Sequence, residues 1–149
     1  MILIGRDQLS DALEICQTEA LQAFGNGDVF VEKLLQAPRH IEVQIIGDGS
    51  GAISHLGERE CSIQRRHQKL VEMTPAPGLG QALREKVLSA AVKMAEATSY
   101  QNLGTFEFLV EGEEFFFIEA NPRLQVEHTV TEEVWGVDLS LINISEPTR

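Results

Sequence analysis

Between residues 104 and 121 the chain alternates. Phe106, Phe108 and Val110 take every second position, with Glu107, Leu109 and Glu111 between them. A period of two in a segment rich in Phe and Val predicts a half-buried strand. Residues 115–119 supply a second strand, and Glu111-Gly112-Glu113-Glu114 predicts the hairpin turn between them. The period recurs at residues 39–47, where Ile41, Val43 and Ile45 alternate with Glu42, Gln44 and Ile46. Gly47-Asp48-Gly49-Ser50-Gly51 turns that strand, and residues 52–57 return it. These glycines lack a Walker lysine and a following helix, so they read as a turn and not as a phosphate loop. Residues 70–74 give a further strand, stopped by Pro75-Ala76-Pro77-Gly78. The strand formers Val29, Phe30 and Val31 place another at residues 28–35.

Two segments carry a helical period instead. In residues 7–24, Leu9, Leu13, Cys16, Ala20 and Phe24 recur on one face; Asp7 is the expected N-cap and Gly25-Asn26-Gly27 the stop. In residues 81–99, Leu83, Val87, Leu88, Ala91, Met94 and Ala95 form a buried stripe. Residues 131–135 begin a short third helix. The pattern is lost over residues 140–149, which contain Pro147 and read as an irregular tail that does not dock. The expected fold is therefore α+β: an antiparallel sheet of five or six strands, with two helices packed on one face and a polar constellation on the other.

Glu107 and Glu119 lie twelve residues apart, one on each strand of the 104–121 hairpin. A turn centred near Gly112 or Glu113 would set them on one face and opposite each other. Like charges so placed call for a cation. With the carboxamide of Asn121 they make an all-oxygen set, suited to Mg²⁺ or Mn²⁺ bound together with a phosphate. The alternative is a pair of solvated glutamates. Directly after the second strand comes Asn121-Pro122-Arg123-Leu124-Gln125-Val126-Glu127-His128. A guanidinium fork there suits a planar anion, and a carboxylate beside it can take a proton from one.

Composition narrows the field. The 149 residues carry a net charge of −11, which excludes long-range attraction to nucleic acid or an anionic membrane. Cations are concentrated locally in Arg65-Arg66-His67-Gln68-Lys69, within a charged segment, residues 58–69, that has no clean period. Two cysteines without ligand or redox spacing read as reduced thiols, Cys16 in a helix and Cys61 in a loop. No run is long enough for a signal peptide or a membrane span. The expected location is the cytoplasm, or the mitochondrial matrix for a eukaryotic protein.

The string Asn-Pro-Arg-Leu-Gln-Val-Glu-His at residues 121–128 resembles a signature of the biotin carboxylases, the ATP-grasp subunits or domains of acetyl-CoA, propionyl-CoA and pyruvate carboxylases. Val31-Glu32-Lys33-Leu34-Leu35, Pro38-Arg39-His40-Ile41-Glu42-Val43-Gln44 and residues 58–69 resemble further signatures of that family, in order and at its spacing. The resemblance covers about residues 1–139, leaving 140–149 as a truncated or foreign tail. It implies an incomplete ATP-grasp domain and an ATP-grasp ligase. ATP would be met by Glu32, Lys33 and Leu35 at the adenine hinge and by His40, Gln64 and His67. Read without the family, Glu32 and Lys33 are a charged pair at a strand end, and His40 is a surface histidine. The resemblance further implies Mg²⁺ or Mn²⁺ on Glu107, Glu119 and Asn121. Bicarbonate would lie on Lys69, Arg123, Gln125 and the backbone of Val126, with Glu127 as the base. Carboxyphosphate would then deliver CO₂ to biotin on a carrier domain or protein, for a carboxyltransferase component. A homodimer is expected of the full-length protein.

The family's glycine-rich lid, its upstream nucleotide-binding lysines and a downstream arginine have no counterpart in these residues. Little carboxylase activity is expected of this polypeptide by itself. Two other readings stay open: another ATP-grasp ligase, of the carbamoyl-phosphate synthase or urea carboxylase type, and a non-catalytic fragment that binds Mg-nucleotide.

Overall fold

A computed structural model describes residues 5–66 and 68–145, in two compact units, Met1–Gln36 and Ala37–Arg149. In the first unit a short 3-10 turn, Arg6–Gln8, leads into helix α1, Leu9–Phe24. Asp7 is therefore not the N-cap. It lies inside the turn, and Gln8 precedes α1 without a side-chain cap. The predicted stop does form: Gly25 adopts a left-handed conformation and its N–H returns to Leu21 O at 3.0 Å. Residues 28–35 are not a strand. Val, Phe and Val favour extended backbone, but a strand also needs a neighbour for its N–H and C=O groups, and this segment is in no ladder.

The second unit holds a five-stranded antiparallel sheet. Its strands are β1 Arg39–Asp48, β2 Ile53–Arg65, β3 Gln68–Met73, β4 Gln101–Glu111 and β5 Glu114–Asn121, in the order β3-β2-β1-β4-β5. Helix α2, Gln81–Ala97, follows β3, and two short helices, α3 His128–Trp135 and α4 Leu139–Ser145, follow β5. Ile41, Val43 and Ile45 of β1 and Phe106, Phe108 and Val110 of β4 form the buried face. Val87, Ala91 and Ala95 of α2 cover it, with Leu83, Leu88 and Met94 packed at the margin, which is the predicted stripe. α3 reaches the opposite, polar face, where buried Thr131 accepts from Arg59 Nη1 at 2.9 Å. None of the described helices is long and apolar enough to cross a membrane.

Three sequence expectations change here. The charged residues 58–65 extend β2, and Cys61 is a buried strand residue and not a loop thiol. Charge reads as solvated surface, but each buried acid has a partner: Glu58 accepts from Arg84 Nε at 2.7 Å, and Glu60 pairs with Arg39. Residues 140–145, within α4, are helical where the sequence reads as irregular, and Ser140 Oγ meets His128 Nε2 at 3.0 Å. Residues 146–149 lie outside the described set.

Two irregularities in strand register decide which side chains share the polar face. Near the β1–β2 turn Ile45 pairs with His55, but beyond it Val43 pairs with Glu58 and Glu42 with Arg59. One extra residue is absorbed at Leu56-Gly57, where Gly57 takes φ +73, a conformation glycine reaches without Cβ strain. Without that bulge Glu58 would stand opposite Glu42, and Arg59 would point into the apolar side. In the β4–β5 hairpin Phe108 pairs with Phe117, yet Glu107 pairs with Glu119, leaving Ile118 unpaired. Phe117 consequently joins the aromatic cluster, with its ring centroid 5.8 Å from Phe108 and 6.3 Å from Phe106. Glu119 is turned to the polar face. The two acids do lie opposite each other, as the sequence predicts, but for another reason. The turn is centred between Gly112 and Glu113, which alone would set Ile118 against Glu107, and the bulge restores the pairing.

Candidate functional site

The polar face opens into a cleft of about 680 Å³, within the size range of ligand sites. Ten of the residues singled out from the sequence line it: His40, Gln64, Lys69, Glu107, Glu119, Asn121, Arg123, Gln125, Val126 and Glu127. β1, β4 and β5 present His40, Glu107, Glu119 and Asn121; the end of β2 and the start of β3 bring Gln64 and Lys69; the loop after β5 supplies the rest. Glu32 and Lys33 instead line a groove within the first unit, beside Leu9, Ala12, Leu13 and Cys16, and Leu35 is half-buried in the same unit. His67 lies outside the described residues.

Glu107 is the centre. Its Oε1 accepts from Lys69 Nζ at 3.0 Å, Asn121 Nδ2 at 2.9 Å and Gln125 Nε2 at 3.2 Å, and its Oε2 meets His40 Nε2 at 2.5 Å. Gln64 Nε2 donates to His40 Nδ1 at 2.7 Å, so Nδ1 is the acceptor and Nε2 carries the proton given to Glu107. Asn121 Nδ2 also donates to Glu119 Oε1 at 3.0 Å, so a single amide spans both carboxylates. Burial pushes the Glu107 carboxyl up, but the bonds from His40, Lys69 and Gln125 outweigh it and hold the group down at about 2.

The folded state thus favours the ionised form of Glu107. Its contribution to stability is complete above its ordinary value of 4.5 and is lost as pH falls towards 2. Across that window the unfolding free energy should drop by about 3 kcal/mol on account of this group, a loss that Glu107→Gln no longer shows. Urea midpoints measured against pH for both proteins check it.

Lys69 bridges three acids, with Nζ 2.5 Å from Glu42, 2.7 Å from Glu127 and 3.0 Å from Glu107. Burial works against its charge, but Glu42, Glu127 and Glu107 more than compensate and raise its pKa. Burial likewise pushes the Glu127 carboxyl up, and the Lys69 hydrogen bond overrides it, keeping Glu127 below the usual carboxylate range. Arg123 is exposed, donates weakly to Leu124 O at 3.4 Å, and has no carboxylate partner among the described residues, which leaves its fork available to an anion. Gln125 Oε1 is buried and has no partner among the described residues, an acceptor open to a ligand donor.

Two acidic sets sharing Glu107 could hold a cation. In the first, His40, Glu42 and Glu107 bring ligand atoms within 4.8 Å of one another. There the Lys69 ammonium already touches two of the three residues, and so fills the position. The second set, Glu107, Glu119 and Asn121, is accessible, because Glu119 is exposed and lines the cleft. Its all-oxygen character fits Mg²⁺ or Mn²⁺ once the Asn121 amide turns its oxygen inward. Glu42 and Arg59 were not foreseen as site residues. Both are completely buried, and Arg59 donates to Glu42 at 2.5 Å, Gln44 at 2.9 Å, Thr131 at 2.9 Å and Thr105 at 3.3 Å. The alternation that puts Glu42 and Gln44 opposite Ile41 and Val43 was the available signal.

The model of the family described as "Carbamoyl-phosphate synthase L chain, ATP binding domain" matches residues 1–145. A pyruvate carboxylase of Staphylococcus aureus is 54% identical over 132 residues, 89% of this chain and 12% of the relative. A pyruvate carboxylase subunit of Methanothermobacter thermautotrophicus is 53% identical over 133 residues, 89% of this chain and 27% of that subunit. The solved biotin carboxylase–β,γ-ATP complex from Campylobacter jejuni superposes with TM-score 0.81 at 46% identity, covering 97% of this chain and 34% of the other. The biotin carboxylase domain of a thermophilic 2-oxoglutarate carboxylase bound to bicarbonate gives TM-score 0.86 at 44% identity, with the same coverage. The chain thus spans a small part of its relatives. It belongs to this family of ATP-binding domains, as part of a biotin carboxylase component of the ATP-grasp type.

Proposed function

We propose that this chain supplies the metal and anion half of a site that carboxylates biotin with bicarbonate at the expense of ATP. One observation carries the reading: Lys69, Arg123 and Glu127 face the same cleft as Glu107, Glu119 and Asn121. An anion held between an ammonium and a guanidinium beside a pair of metal-type carboxylates suits attack on a phosphate chain. A divalent cation on Glu107, Glu119 and Asn121 would neutralise phosphate charge when bound. Arg123 and Gln125 would orient bicarbonate, and Lys69 would balance its charge without removing its proton.

Glu127 is ionised and able to accept that proton, but its bond to Lys69 makes it a weak base. An incoming anion competes for Lys69, frees Glu127 and raises its basicity where the proton must go. The bicarbonate oxygen then bonds to the terminal phosphorus of ATP and ADP leaves. Carboxyphosphate breaks down to CO₂ and phosphate, CO₂ bonds to N1 of biotin, and the N1 proton goes to the phosphate. His40 and Gln64 would meet the nucleotide. The biotin carrier, a carboxyltransferase component and a homodimeric assembly would come with the larger protein of which such a site is part.

The test is to graft this segment in place of its counterpart in the Methanothermobacter protein and to follow ADP formation. ADP release that needs both bicarbonate and biotin supports the reading. A folded graft whose ATP turnover ignores bicarbonate, while the parent protein responds to it, overturns the reading.

A further inference from the structure

The segment Gln125-Val126-Glu127 has little apolar packing to hold it, Val126 being 87% exposed. Hydrogen bonds running into α3 and α4 fix it instead. The His128 ring, at the start of α3, lies with Nδ1 2.7 Å from the carbonyl oxygen of Gln125, which also accepts the His128 backbone N–H at 3.2 Å. A carbonyl can only accept, so Nδ1 carries the proton that binds it. On the other side of the ring, Nε2 meets Ser140 Oγ at 3.0 Å and lies 3.5 Å from Glu132 Oε1. Glu132 holds Ser140 in place: its Oε1 accepts the backbone N–H groups of Leu139 at 2.6 Å and Ser140 at 3.2 Å, and Leu139 is buried. A continuous path therefore joins the anchored start of α4 to the backbone between two cleft residues.

We propose that His128 is a positioning residue. Its ring clamps the Gln125 carbonyl, which keeps the Gln125 amide on Glu107 and the Glu127 carboxylate on Lys69. The catalytic consequence rests on the reading of the cleft as a bicarbonate site; the clamp itself does not. Asparagine at 128 can place an N–H near Nδ1 and keep the bond to Gln125. Glutamine places its amide nearer Nε2 and loses that bond.

In the full 149-residue chain, His128→Ala should shift or broaden the NMR signals of the Val126 and Glu127 amides and the Gln125 side-chain NH₂. Those of Val43 and Phe108 should stay in place. His128→Asn should restore the cleft signals and His128→Gln should not. Unmoved cleft signals in His128→Ala, or equal restoration by Asn and Gln, overturn the proposal. If His128→Ala loses the fold, Asn against Gln decides alone. In the grafted protein, His128→Ala should raise the KM for bicarbonate about 10-fold or more, leave the KM for ATP within about twofold, and be rescued by Asn. Equal rises in both KM values, or none, count against it. A graft with no bicarbonate response refutes the functional reading, and the NMR comparison still decides the clamp.

Discussion

Replacing Arg59 with methionine should lower the unfolding free energy by about 3–5 kcal/mol, the range for removing one partner of a buried ion pair. For a domain whose whole stability is about 5–15 kcal/mol this is a large fraction. Arg59 lies at zero exposure between β1, β2, β4 and α3, and its loss strips four acceptors at once: Glu42, Gln44, Thr105 and Thr131. Glu42 suffers most, because it is equally buried and loses its guanidinium partner while retaining Lys69. The cost should fall when Glu42 is also neutralised. In a double-mutant cycle by urea denaturation, Arg59→Met with Glu42→Gln should be less damaging than the sum of the single changes. A loss below about 1 kcal/mol for Arg59→Met, or strict additivity, would show that the charges are not coupled as the distances imply.

Glu107→Gln should weaken binding of Mn²⁺ in the presence of ATP by about 100-fold or more, and Glu119→Gln by less. Both acids face the same position, but they are held differently. Glu119 is exposed and, among the described residues, linked through Asn121 Nδ2, so a neutral amide there can be partly replaced by water. Glu107 is buried and already ionised by its surroundings, so a cation meets a full charge that needs no deprotonation. The substitution also removes a shared acceptor of Lys69, His40, Asn121 and Gln125. Titration of the chain with Mn²⁺·ATP, followed by calorimetry or water-proton relaxation, measures both variants. Equal losses, or none, would place the cation elsewhere.

Much of this arrangement was legible in the letters, and the remainder had identifiable reasons to be hidden. The stripe Val87, Ala91, Ala95 declares α2, because a 3.6-residue period needs no knowledge of the partner surface. The β4–β5 hairpin and the gathering of Lys69, Arg123 and Glu127 about one cleft were expected. Residues 58–65 misled because Gly57 interrupts the strand period, and because the partners that make Glu58 and Glu60 tolerable inside, Arg84 and Arg39, are far away in sequence. Arg59 stayed hidden for the same reason: its four acceptors span residues 42 to 131. Residues 28–35 show the converse failure, strand propensity with no ladder to join.

Ile118 has a consequence for chain length. It is the one letter of its strand with no opposite number, since Phe117 already faces Phe108 and Glu119 already faces Glu107. Removing it would close the gap and leave every cross-strand partnership intact, whereas removing Phe117 would set Ile118 opposite Phe108 and cost an aromatic ring, and removing Glu119 would set Ile118 opposite Glu107 and cost the acid. Natural variants one residue shorter here should have shed this position, so a mid-strand deletion, ordinarily ruinous, becomes a silent edit at a single place.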